Sequence, residues 1–372
     1  MRNVSQTCRE VIASGVFQAH WTADLFYDGV PRAQNLLLLD PQFAWDASAQ
    51  IQGSGKCEIL WDDMFGQSIV PREIGDLFSP YGAELQADII ISAGDFVERV
   101  PMGRFVLDSV PDSVEQAIEN AHGGLPVVVE SRVSLDLADY FLRIARDEFP
   151  FPTSPRSTSM WDEAQRLTSL AVVRSIPDRT LPRNITYDED RLEALGKVFG
   201  PSNAWPTLTP AGGLTARPKD WPAPVARLEN VLASPLVMRS ENVYNRVVVE
   251  GKNPTPDGPV LRAVREIRQG WLRTRNPNGT RSPFGGATYR YKSEFLTTQD
   301  QVDRTADSLL PRVSRIRSVT RRITEPFNPL RELGDVLTFV DTQRGGDESL
   351  VRIRSIEHSG AETVLDVEVK QR

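Results

Sequence analysis

Histidines, cysteines and paired carboxylates are the side chains that most often do chemistry, and in this chain they are few or scattered. The three histidines, His20, His122 and His358, each stand alone, in a strand-like stretch or beside a turn. No two of them have metal-ligand spacing, and no Cys-x-x-Cys occurs. Cys8 and Cys57 are too few for a disulfide framework and read as two free thiols of a protein made in a reducing cytoplasm. There is no G-x-S-x-G elbow and no Walker loop. Gly53-Ser54-Gly55-Lys56 has the look of a phosphate loop but lacks its spacing and the helix that should follow. Carboxylates are the remaining option. Asp62 and Asp63, or Asp188, Glu189 and Asp190, would suit a glycosidase pair, whose geometry is set in space rather than in sequence. With 50 acidic residues, such adjacency arises readily by chance. No catalytic, cofactor-binding or metal-binding residue is assigned.

Aromatic and basic residues offer recognition instead of reaction. Trp45, Trp61, Trp205, Trp221 and Trp271 would either stack on sugars or pack in cores and interfaces. Arg262, Arg265, Arg268, Arg273, Arg275 and Arg281 crowd one stretch in which Glu266 is the single acid, and Arg312, Arg315, Arg317, Arg321 and Arg322 follow. Arginine in place of lysine suits fixed, two-pronged partners such as carboxylates. Trp271 sits among these arginines, and Trp with Arg is typical of protein contacts. Arg262, Arg265, Arg268, Trp271, Arg273 and Arg275 are therefore the candidate subunit or partner interface. Pairing of the same arginines with acids of the chain itself is the plainer reading.

The elements that would position these residues are mostly strands. Phe17, Ala19, Trp21, Ala23, Leu25 and Tyr27 alternate with polar residues, and Asp28-Gly29 is a hairpin turn. Strands are also expected over Phe43–Ile51, Cys57–Trp61 after a Gly53–Gly55 turn, Leu85–Ile91, Gly103–Val110 after a loop at Ser92–Met102, and Val127–Glu130. The period then changes. Ser134 is expected to cap a helix over Leu135–Phe149, Ser159 to open a second one, and Asp188–Phe199 to form a third. Gly200–Pro224 is a Pro-rich loop whose Trp205, Leu208, Leu214 and Trp221 point to packing rather than disorder. The β-branched run Asn242–Gly251 then opens a third region, with a strand over Val260–Ile267, a loop at Asn276–Gly286 and a helix over Thr298–Leu310 ended by Pro311. A meander of Val336–Val340, Leu350–Ile356 and Thr363–Val369 closes it. The fold class is thus α+β, mainly β: two β domains, 1–132 and 239–372, on either side of a smaller α+β region at 133–238.

The chain's 372 residues suffice for two or three domains. No apolar run approaches the roughly 18–20 residues that span a membrane, and the first fifteen residues lack the apolar stretch of a secretory signal. A net charge of −7 opposes bulk attraction to DNA or anionic lipid.

Four stretches, in order, resemble the baseplate hub family of long-tailed phages, often called minor tail proteins, including those of actinobacteriophages. Val100-Pro101-Met102-Gly103-Arg104-Phe105-Val106 is like that family's "plG-x-F" strand. Ser134–Ile144 is like the helix that begins its inserted domain. Asn245-Arg246-Val247-Val248-Val249 is like its "NrVvV" strand. Thr298–Leu310, followed by Asn328-Pro329-Leu330 and Gly334-Asp335-Val336, is like its "t-x-x-qa…a…L" helix and "nP-x-l-x-x-GD" strand. The resemblance covers nearly the whole chain, without the long C-terminal extension of larger hub proteins. It implies two hub-type β-barrels per chain and a homotrimer that sets six barrels in a pseudo-sixfold ring. It also implies a distal tail protein or tail tube above, tip or fibre proteins and the tape measure nearby, transient passage of DNA, and a place at the tail tip of the virion after synthesis in the host cytoplasm. The reading is non-enzymatic, with no cofactor. A tail-tip cell-wall hydrolase and a carbohydrate- or receptor-binding module are the alternatives.

Overall fold

A computed structural model describes residues 1–61, 68–118, 127–181, 185–228, 230–237, 243–253, 258–315, 320–341 and 346–370. The strands are β1 Gln18–Tyr27, β2 Val30–Leu37, β3 Leu39–Asp46, β4 Gly53–Trp61, β5 Ala83–Ala93, β6 Phe96–Ile118, β7 Val127–Asp139, β8 Ala204–Leu208, β9 Leu214–Pro218, β10 Ala226–Leu228, β11 Leu236–Val237, β12 Arg246–Gly251, β13 Leu261–Glu266, β14 Thr288–Ser293, β15 Thr320–Pro326, β16 Val336–Asp341, β17 Asp347–Ser359 and β18 Glu362–Val369. The helices are α1 Gln6–Ser14, α2 Phe141–Arg146, α3 Met160–Leu167, α4 Arg191–Phe199 and α5 Gln299–Arg315. The chain is mainly β, and it divides into two compact units.

The first unit holds Met1–Ala233 and Ile323–Leu365. Its sheet runs β2-β1-β5-β6-β7-β4-β3 and continues through β17 to β18 and β15, with β16 on β17 and β10 on β16. Alternation explains the N-terminal strands: Trp21, Ala23 and Leu25 on β1 and Leu85, Ala87, Ile89 and Ile91 on β5 are buried in one core with Phe43, Phe105 and Ile59. Asp28 and Gly29 both have positive φ, as the β1–β2 turn requires. The β6–β7 hairpin is long. It pairs from Phe105↔Asp139 out to Ile118↔Val127, and its outer part leaves Val114, Ile118 and Val127 exposed. A second core lies over residues 140–216, where α2, α3, α4 and the β8–β9 hairpin gather Phe141, Trp161, Leu195 and Phe199. Ser159 caps α3 and Asp190 caps α4 through backbone N–H bonds.

Several local expectations change. Leu135 to Asp139 continue β7 instead of opening a helix: Val133, Leu135, Leu137 and Asp139 alternate inward against β4, and Ser134 pairs across to Glu58. Period-two burial outweighs the helical spacing. The helix begins only at Phe141. Gly53 and Gly55 lie within β4, not in a turn. A Cβ on Gly55 would sit 2.5 Å from the Phe43 ring, so its glycine serves close packing. Gly94 and Asp95 turn β5 into β6 where a long loop was expected. Part of the Pro-rich stretch forms β8 and β9. Pro311 lies inside α5.

The second unit holds Ser234–Arg322 and Asp366–Arg372. Its three-stranded sheet has the order β13-β12-β14, antiparallel to one side and parallel to the other. Helix α5 covers one face, where Val302 and Ala306 meet Val247, Val249 and Ala263. Strand pairing shapes the first unit: β17 joins β3 over Ser355↔Asp46 to Ser359↔Gln42, which ties the C-terminal meander to the N-terminal sheet.

Candidate partner interface

Period two decides what the second unit's sheet shows to solvent. On β12, Val247 and Val249 turn toward α5, so Arg246, Val248 and Glu250 turn away. Register places Glu266, Val264 and Arg262 of β13 beside them on one side and Thr288, Arg290 and Lys292 of β14 on the other. This open face carries mixed charge. Arg262 and Lys292 both bind Glu250, at 2.5 and 3.0 Å, and Arg246 binds Glu266 at 3.2 Å. Hydrogen bonds from Lys292 and Arg262 hold the Glu250 carboxyl below its usual range. Arg265 is one residue out of phase and lies on the helix side, bound to Asp303 at 2.8 Å and Asp307 at 2.6 Å. Arg268 is exposed, with Glu266 4.0 Å away, and Arg290 is exposed on the same face.

Between β13 and β14 the chain makes an excursion that carries the rest of the predicted set. Trp271 stands at its turn, 96% exposed. Arg273 bonds within the excursion to Asn276 Oδ1 and Gly270 O, and Arg275 to Gly279 O. A residue that sequence reasoning treated only as part of a strand motif holds this loop. Asn245 is fully buried, and its Nδ2 donates to Leu272 O at 3.0 Å and Gly285 O at 2.7 Å. Its backbone N–H bonds Ala287 O and its carbonyl accepts from Ile267 N. One side chain therefore clamps both limbs of the loop beneath Trp271. A polar amide two residues ahead of the Val247–Val249 run was the available signal.

No family model matches this chain, and no curated protein does. Solved structures do match. The tail protein from Neisseria meningitidis MC58 aligns over 94% of this chain and 96% of its own, with a TM-score of 0.60 at 13% identity. The 43 kDa tail protein of prophage MuSo2 from Shewanella oneidensis aligns over 93% of this chain and 98% of its own, with a TM-score of 0.54 at 13% identity. The fold is that of a prophage tail protein.

Within this tail-protein fold the candidate reactive residues have structural partners. Asp190 caps α4, Asp188 binds Lys197 at 3.1 Å, and Glu189 is exposed. Asp62, Asp63 and His122 lie outside the described residues. His20 is exposed, while His358 is buried, with its Nδ1 3.0 Å from Thr363 Oγ1 and its ring against Trp45 and Phe327. Burial, with the nearby Arg2 charge, lowers its pKa to about 3. Burial raises Cys8 to about 11 and Cys57 to about 12, so both stay thiols. Among the described residues no three His, Cys, Asp or Glu side chains cluster as a metal site would. Trp45 and Trp61 pack against the first core, Trp205 is buried, and Trp221 lies under the Arg352 guanidinium. Of the five tryptophans singled out, Trp271 alone stands free in solvent.

A cavity of about 50 Å³ in the first unit is lined by Arg2, Trp45, Gln52, Asp139, Thr207 and Glu332, among others. Asp139 is buried there and accepts from the N–H groups of Gly53 and Phe141. Glu332 binds Arg217, also in the lining, at 3.0 Å. Its carboxylates are thus held by the fold, in a space too small for a sugar ring. No helix among the described residues is long and apolar enough to cross a membrane.

Proposed function

We propose that this chain is a structural, non-enzymatic protein of the phage virion, working in the baseplate hub at the tail tip. The observation that carries the reading is an end-to-end likeness of fold to two tail proteins, each covered almost completely. In this reading three chains, each supplying two hub-type barrels, make a pseudo-sixfold ring. The ring joins the tail tube or distal tail protein to tip and fibre proteins, lies near the tape measure, and leaves a passage for DNA. The mechanism is geometric: closed contacts between sheet-built modules protect edges and match symmetries, and no bond is made or broken. A net charge of −7 is compatible with DNA moving past without being held.

Antibody labelling of intact particles tests the place. Label at the tail tip is expected; label on the head, or none on the particle, overturns the reading. Light scattering on the purified chain tests the ring, with three times the chain mass expected. A zymogram on peptidoglycan should show no clearing, whereas clearing would favour the hydrolase alternative.

A further inference from the structure

The two units differ in charge far more than the whole chain suggests. Ser234–Arg322 holds seventeen Arg and Lys against eight Asp and Glu, a net of +9; the rest of the chain holds twenty-six against forty-two, a net of −16. Fifteen of the seventeen cations are arginines. A net of −7 is therefore the small remainder of two opposed fields.

We propose that the basic unit, through its open sheet face and Trp271, docks onto the acidic β6–β7 hairpin of a second copy of this chain. The proposal rests on the hub reading in one respect, that copies of the chain assemble; it adds which surfaces meet. Each side supplies what the other needs. Trp271 is a rigid aromatic anchor in full solvent, with Arg268 nearby in sequence and Arg290 on the adjoining sheet face. Across Asp108–Ile118 and Val127–Arg132 the hairpin's two strands hold four carboxylates, Asp108, Asp112, Glu115 and Glu130, against one cation, Arg132, which binds Glu58 at 3.5 Å. Asp108 and Glu115 already bind Arg146 and Arg72, while Asp112 is exposed. The same hairpin exposes Ile118 paired with Val127 at its outer end, and Val114 opposite Arg132, an apolar footing for a tryptophan. Opposite fields on one chain favour head-to-tail contact, because each copy offers both a donor and an acceptor surface, and such heterologous contacts close into rings.

The mixed charge of the open face selects a protein over a nucleic acid. Glu250 and Glu266 lie among the arginines, where a phosphate backbone would meet two carboxylates. A folded partner can place its own groups to suit both signs, and arginine prefers carboxylates for their fork geometry.

The test uses the full chain, with its association measured by light scattering and sedimentation at low and high salt. The wild type should associate, and more weakly as salt rises. Trp271→Ala should weaken association about tenfold or more. Arg268→Glu with Arg290→Glu should do likewise, as should Asp112→Lys with Glu130→Lys. All four reversals in one chain should restore much of the loss, which separates a lost contact from a misfolded variant. A chain that stays monomeric at all salts overturns the proposal, as does association untouched by these changes or binding of the basic unit to duplex DNA in preference to a second copy. An assembly of three that ignores the substitutions would sink this interface and leave the hub reading standing. Absence from the tail tip would do the reverse.

Discussion

Arg331 and Glu325 face each other as a two-pronged ion pair, Nε to Oε1 and Nη2 to Oε2 both at 2.7 Å, with their side chains 6% and 5% exposed. Two charges held so far from water depend on each other. Removing one leaves the other unpaired, at a cost of about 3–5 kcal/mol, whereas a well-packed apolar pair of similar volume is often neutral or better. Glu325→Ala should lower the urea midpoint steeply; Glu325→Leu with Arg331→Met should recover most of it. Equal losses in the single and double variants would show that the pair is not the unit of stability.

Asp139 and His358 should pull the pH dependence of stability in opposite directions. Burial raises the Asp139 pKa to about 7, so the folded state keeps a proton that the unfolded chain releases near pH 4. Its contribution is full below that point and is lost as pH rises to about 7. Burial lowers His358 to about 3, so its contribution is full above about 6.5 and is lost as pH falls toward 3. Each slope reaches at most about 1.4 kcal/mol per pH unit, and between pH 4 and 6.5 they oppose. Denaturant titrations should find the wild type nearly flat there. Asp139→Asn should become less stable as pH falls, and His358→Gln less stable as pH rises. Parallel pH profiles for all three proteins would refute both assignments.

Gly55 should not tolerate a side chain. A Cβ there would come 2.5 Å from Cε1 and 2.7 Å from Cδ1 of Phe43, and 3.3 Å from Leu137 Cδ1. The Phe43 ring is fully buried and stacked on Trp21, so it has little room to yield. Gly55→Ala is expected to cost about 1–3 kcal/mol, the range for overpacking. Thermal melting reads this directly, and Phe43→Leu in the same chain should relieve part of it.

The clamp beneath Trp271 should control the loop more than the fold. Asn245→Ala strips a donor from the carbonyls of Leu272 and Gly285, a loss of about 1–3 kcal/mol when such groups stay buried. Trypsin should then cut faster at Arg268, Arg273, Arg275 and Arg281, while sites on α5 keep their rates. Trp271→Ala, by contrast, should leave the melting temperature within the error expected of an exposed position. Unchanged cleavage in Asn245→Ala would mean that the excursion's own hydrogen bonds are enough.

Alternation made much of the sheet legible beforehand. β1, β5 and the final meander β16–β18 follow it, as does the Asp28-Gly29 turn. The start of α3 was equally readable, because Ser159 is a polar acceptor set just before apolar spacing, whereas the third helix was expected from Asp188 and starts after its cap, Asp190. Val133 to Asp139 were harder: Leu135 and Leu137 fit a helix face as well as a strand, and only the β4 partner decides. β14 escaped notice since Tyr289 and Tyr291 alternate with basic residues over a stretch too short to stand out. The candidate site was half legible. Clustering in sequence singled out Arg262, Arg268 and Trp271 together with Arg265, but one residue of phase ties the Arg265 side chain to the helix, and no local pattern could reveal that. The unit boundaries depend on β3 meeting β17, a pairing more than three hundred residues apart in sequence.

That last pairing governs when the molecule can be finished. During synthesis β3 is made about three hundred residues ahead of β17, so it waits for that second neighbour while the whole intervening stretch emerges. Until then its open edge is a place for a stray strand to attach. Contacts of such long range make for slow folding. A cell making this protein in bulk would be expected to hold a pool of chains whose β3 edge is still open, and translation rate or chaperone supply would set how many of them close correctly.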